Sequence, residues 1–240
     1  MASSQAVRNP RSYLTHSVRM YRTLLTDPET FYDEYVGTRG LRVEILLVLV
    51  IGAIGLAGNV YALLRVEELF AQIEVPLGQD VAFAMWGEVA APLVGAVVLW
   101  VGLTTALYVV SWLYSAVGEY YVLLKRTAWA LVPLAFANLI HSVAMAYAGF
   151  SLSAADVAAS EVPRVPERRA AFAWEVAAGE LAVVAAVVVG LVFAVWTGYV
   201  AAYAVRGVRD IETDEAYRVA AVPTVAYVVY VVYEVGTTAL

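Results

Sequence analysis

The chain contains no cysteine and only two histidines in 240 residues. Disulfides, thiolate nucleophiles and cysteine-bound metals are thereby excluded, and two histidines alone do not make a closed metal site. Charge is also scarce, with 15% of residues ionisable as Asp, Glu, Lys or Arg, against about 25% in soluble domains. The 21 acids outnumber the 15 bases, a balance that argues against nucleic acid as a partner. No Ser-His-Asp set, phosphate loop, HExxH or nucleotide fingerprint occurs, so no cofactor is implied and the chain reads as non-enzymatic. Internal repetition of the kind that marks inverted-repeat transporters is missing too.

What is present is apolar. Hydrophobic residues make up 62% of the chain and the mean hydropathy is +0.74, far from the soluble balance. Spanning a bilayer takes about 20 mostly apolar residues, and five such runs occur, at about 45–64, 89–114, 127–150, 181–205 and 219–239. The expected fold is all-α: a polytopic transmembrane bundle of five spans, residues 44–240, preceded by a cytoplasmic or interfacial amphipathic segment, residues 1–43. The first run starts some 45 residues in and is too long for a signal-peptide core, so no cleavage is expected.

Basic residues set orientation. Six lie before residue 45, two in 115–126 and three in 206–218, against Arg65, Arg164, Arg168 and Arg169 on the other side. A multi-pass cell-membrane protein follows, with a cytoplasmic N-terminus and an external C-terminus. Fourteen of the fifteen bases are arginine, and the acidic balance with Ala- and Val-rich spans is what a halophile host would favour.

Residues 24–35 read LLTDPETFYDEY. Asp27 or Thr26 caps a helix there, Pro28 suits the first helical position and Thr26 with Glu29 fits a capping box. One helix therefore ends near Leu25, and a second runs from Pro28 to Tyr35 and stops at Gly37. Upstream, Leu14, Val18, Tyr21 and Leu25 recur at helical spacing, flanked by Arg8, Arg11, Arg19 and Arg22. Such a helix suits the cytoplasmic interface, with Arg11, Arg19 and Arg22 as candidate ligands of lipid headgroups and anionic lipids as partners. The alternative is that both short helices pack under the spans as a lid.

The leucine pair followed by Asp27-Pro28-Glu29 and Phe31 resembles the pre-membrane segment of the Ypt/Rab-interacting-protein (YIP) integral-membrane family. Residues 123–140, LLKRTAWALVPLAFANLI, resemble that family's basic turn leading into an apolar helix interrupted by one proline. The chain is similar to a prokaryotic-type member, because the Asp-Leu-Tyr-Gly-Pro signature of many eukaryotic members is missing. The resemblance implies five spans and a role in organising membrane partners; it carries over neither a GTPase partner nor any catalytic residue.

Ionisable groups within spans are costly and mark function by default. Asn138 and His141 share a face near the middle of the third run, with Thr104 and Thr105 at similar depth in the second, a candidate polar cluster. The plainer reading of His141 is a neutral side chain bonded to a neighbouring helix. Glu234, by helix rise, falls near the outer headgroups, and Glu88 and Glu119 flank the second run. Gly52, Gly55 and Gly58 recur every third position, a small face for close helix approach. Pro92, Pro133 and Pro223 each free a carbonyl and bend a helix. The segment 151–180 is broken at Pro163 and Pro166 and continues as helix into the fourth run.

Three classes of function follow. First stands a non-enzymatic membrane scaffold or adaptor that binds lipid, a membrane-protein partner or a second copy as a homo-oligomer. An ion or small-molecule transporter built on Asn138 and His141 is the alternative. An intramembrane enzyme comes last, for want of a paired acid and base.

Overall fold

The computed structural model describes residues 10–36, 40–72, 79–153 and 181–238, with side chains described for 18–36, 40–72, 86–87, 89–153 and 181–233. Every described element is helical: α1 (Pro10–Thr26), α2 (Pro28–Glu34), α3 (Arg42–Gln72), α4 (Gln79–Ser111), α5 (Tyr120–Ala130), α6 (Val132–Ser151), α7 (Leu181–Arg209) and α8 (Thr213–Thr238), with a single 3₁₀ turn at Trp112–Tyr114. Among the described residues five helices are long and apolar enough to cross a membrane, in α3, α4, α6, α7 and α8. Their outward faces carry exposed valines and leucines, among them Val94, Val98, Leu139, Val143, Val188, Val192, Val225 and Val229. An apolar surface of that extent is stable only against lipid.

Asp27 is the cap between the first two helices. Its carboxylate accepts from the Thr30 amide at 3.3 Å and from the Thr30 hydroxyl at 2.7 Å, while the Thr26 hydroxyl turns back to the Arg22 carbonyl. Of the two residues able to fill that place, Asp27 takes it because threonine inside a last turn satisfies its own helix first. Pro28 then occupies the first helical position, where its missing N–H costs nothing.

The third apolar run, expected as one bent helix over 127–150, is two helices. Leu131 interrupts it, its amide bonding to Ala128 O at 3.3 Å and its carbonyl accepting from Leu134 N at 2.9 Å, a three-residue step in place of a four-residue one. Pro133 is the cause, since it has no N–H for the carbonyl four residues earlier. Helices α4 and α8 run through Pro92 and Pro223 without a break.

Helix α3 packs closely against α6 at Gly58 and against α4 at Gly52 and Gly55. A Cβ on Gly58 would overlap the Ser142 backbone, one on Gly52 would come 2.8 Å from Leu93 Cα, and one on Gly55 would come 2.9 Å from Pro92 Cβ. Across this seam Asn138 Nδ2 donates to Ile51 O at 2.8 Å, and the Ser142 hydroxyl donates to Ile54 O and Gly55 O. Two cores result, one toward the α2 end around Leu107, Leu123, Trp129 and Val205, the other around Leu63, Phe70, Met145 and Val183.

Candidate functional site

At one end of the bundle α2 forms a cap. Its amphipathic turn buries Phe31 and Tyr32 completely and leaves Glu34 and Asp33 exposed. The Phe31 ring lies 5.3 Å from that of Trp129 and stacks on Tyr35 at 5.7 Å. The Tyr32 hydroxyl donates to Arg126 O at 3.1 Å, and the Arg126 guanidinium sits over the Tyr32 ring, 5.5 Å from its centroid. Glu29 pairs with Arg206 of α7 at 2.9 Å. Glu29, Tyr32, Arg126 and Arg206 line a polar pocket of about 340 Å³ that Asp33, Tyr203, Gly207 and Asp210 complete.

Burial dominates the electrostatics of the cap. It pushes the Tyr32 phenol far above its ordinary range, against the smaller opposing pull of the Arg126 charge. The Arg126 guanidinium is lowered for the same reason, with Tyr32 and Asp33 offsetting part of the effect. Arg126 Nη1 is buried without a hydrogen-bond partner among the described residues. It wedges against Gly207, where any side chain would collide with it.

Beside the cap stands a buried cation that the charge count had treated only as a topology marker. Arg209 is 2% exposed. Its Nε donates to Ser111 Oγ at 2.9 Å, Nη1 to Gly118 O at 2.6 Å and Nη2 to Ala116 O at 2.9 Å, while the guanidinium covers the Tyr108 ring at 4.2 Å. No carboxylate pairs with it among the described residues; backbone carbonyls and a ring face replace one. The loop it holds needs Gly118, whose φ is +127° and whose absent Cβ leaves room for Val208 O. The link fastens the α4–α5 loop to the end of α7.

The polar residues singled out within the spans separate into two places. Thr104 bonds to Thr127 of α5 at 2.5 Å and Thr105 to the Tyr120 hydroxyl at 3.0 Å, both while bonding back to their own helix. Asn138 and His141 instead line a cavity of about 310 Å³ among α3, α4, α6, α7 and α8. His141 is half-buried. Among the described residues it has no hydrogen-bond partner. On α1, Arg19 and Arg22 are exposed with Val18 and Tyr21, whereas Leu24 is fully buried and Leu25 half-buried. The side chains of Arg11 and Leu14 lie outside those described, as do those of Glu88 and Glu234.

Sequence reasoning missed Trp129, Arg206 and Arg209 as parts of a site. Arg206 and Arg209 fall three apart at the end of a span, hence on one face, which is the signal that was available. It also missed Gly95 and Gly102, seven apart and therefore on one face of α4.

A family model described as Yip1 domain matches residues 22–233. No curated protein and no solved structure matches the chain.

Proposed function

We propose the following role for this chain, which belongs to the Yip1 domain family: a non-enzymatic integral-membrane scaffold whose cytoplasmic face carries a fixed platform for a lipid or protein partner. The observation that supports it is the cap. Helix α2 is held on the ends of α5 and α7 by Phe31 against Trp129, Tyr32 against Arg126 and Glu29 against Arg206. It thereby positions α1, which ends one residue before the Asp27 cap and turns Val18, Arg19, Tyr21 and Arg22 outward. Apolar and basic side chains adjoining on one exposed helix suit anionic lipid at the headgroup boundary. A transport role has no comparable support, because among the described residues His141 has no Asp, Glu, Lys or Arg beside it in its cavity.

The absence of native cysteine makes the test clean. A single cysteine replacing Val18, labelled with an environment-sensitive fluorophore in the full chain, is compared in nanodiscs of neutral and of anionic lipid. The platform predicts an apolar environment that strengthens with anionic lipid and weakens on Arg19→Gln with Arg22→Gln, by about 1 kcal/mol of surface attraction per arginine. A signal that is water-like in both lipids, or unmoved by the paired substitution, overturns lipid docking of α1.

A further inference from the structure

The glycines of the bundle divide into two kinds. Gly52, Gly55, Gly58 and Gly198 stand where a Cβ would strike a neighbouring helix, but a Cβ on Gly95 or Gly102 would meet nothing within 4 Å, and one on Gly190 only Ala137 at 3.9 Å. A helical glycine that serves neither close packing nor a special φ costs about 0.5–1 kcal/mol against alanine. What these three have in common is that they border empty space. Gly95 and Gly190 line the cavity with Asn138 and His141, and Gly102 lines a second cavity of about 360 Å³. Leu99, Leu131, Leu134 and Tyr227 border both, so the two adjoin across these side chains.

The chemistry of the lining is uneven. Hydrocarbon predominates, and among the described residues no Asp, Glu, Lys or Arg borders either space. At one end His141 has no partner among the described residues, and Asn138, after its bond to Ile51 O, keeps a carbonyl and one N–H. At the other end Thr197 is 6% exposed with a buried hydroxyl that bonds to nothing among the described residues. Thr104, Thr105, Thr127 and Thr224 all turn their hydroxyls back to the carbonyl four residues earlier. Thr197 departs from that habit and lines the second cavity.

We propose that these adjoining cavities together bind one neutral lipid, its hydrocarbon body along the glycine-lined wall and its hydroxyl or carbonyl head hydrogen-bonded at Asn138 and His141. Pockets of about 300–1,000 Å³ with apolar walls and a few convergent polar groups are the usual form of small-molecule sites. Water is disfavoured along apolar walls of this kind, which stay dry. A charged headgroup is disfavoured because no counter-charge stands within reach among the described residues and burying one unpaired is prohibitive. Entry lies at the seam of α4 and α8, where the lining residues Val98, Gly102 and Ala226 are exposed on the surface that faces lipid. This inference is independent of the cap, and its failure would leave the platform untouched.

The probe is a diazirine-bearing monoacylglycerol, photolysed with the full chain in nanodiscs and mapped by mass spectrometry. Labels are expected on α6 and α8 beside the cavity and are expected to be displaced by excess unmodified monoolein. Filling the space by Gly95→Leu with Gly102→Leu should abolish them, while His141→Leu should weaken retention about five-fold, the effect of one hydrogen bond. An anionic fatty-acid probe should label these peptides far less. If the leucine pair fails to fold, the His141→Leu variant decides. Labelling spread over the outer faces, indifferent to monoolein and to His141→Leu, would overturn the site.

Discussion

The Tyr32 hydroxyl reaches the backbone carbonyl of Arg126, 94 residues along the chain, at 3.1 Å, while the Arg126 side chain covers the same tyrosine ring. One residue thus grips another by both its main chain and its charge, and the cap is closed between them. Tyr32→Phe keeps the buried ring and loses the bond, at a cost of about 1 kcal/mol. Tyr32→Ala empties the space and should cost about 3–5 kcal/mol, releasing α2. Thermal unfolding in detergent measures both, and proteolysis between α2 and α3 reports release. Glu29→Gln, by contrast, should cost under about 1 kcal/mol and lose its effect at high salt, since both partners are substantially exposed.

Arg209 should be the most sensitive charged position in the chain. Arg209→Ala strips the donors from the Gly118 and Ala116 carbonyls and opens the Tyr108 ring face, for a loss of about 2–4 kcal/mol. Arg209→Lys should recover only part of it, because a single ammonium does not span two carbonyls and a hydroxyl as the planar fork does. Equal stability of the lysine variant and the parent in a denaturation series would refute the fork geometry.

The features that the sequence disclosed were local ones. Asp27 with Pro28 marked a helix start, apolar runs marked the spans, and the three-residue period of Gly52, Gly55 and Gly58 marked a packing face. Each depends on neighbours in the chain. Arg209 escaped because its burial is made by Ser111, Ala116 and Gly118, some ninety residues away. Thr104 and Thr105 seemed to share a depth with His141, yet α5 intervenes: the interruption at Leu131 creates a separate helix whose Thr127 and Tyr120 take both hydroxyls. Whether a glycine meets a helix or a void is likewise decided by chain elsewhere, so Gly58 and Gly95 are alike in sequence and opposite in structure.

That contrast is measurable. Gly58→Ala forces a methyl into the Ser142 backbone and should destabilise by about 1–3 kcal/mol. Gly95→Ala meets open space and gains helix propensity, so it should be neutral or stabilise by up to about 1 kcal/mol. A thermal shift of the same sign for both would contradict the packing of α3 on α6.

Orientation rests on the eleven basic residues counted on one side of the spans against four on the other. Reporter domains fused at either end should be active in the cytoplasm at the N-terminus and outside at the C-terminus. Both ends reporting from the same side would mean that one of the five apolar helices does not cross.

The central claim is that the bundle organises partners and moves no solute. It is tested most directly by reconstituting the purified chain into proteoliposomes and following proton and small-solute flux, with His141→Gln measured in parallel. The scaffold reading predicts flux equal to that of protein-free vesicles for both proteins, because among the described residues no Asp, Glu, Lys or Arg borders the His141 cavity. Robust flux through the unaltered protein that His141→Gln abolishes would contradict it.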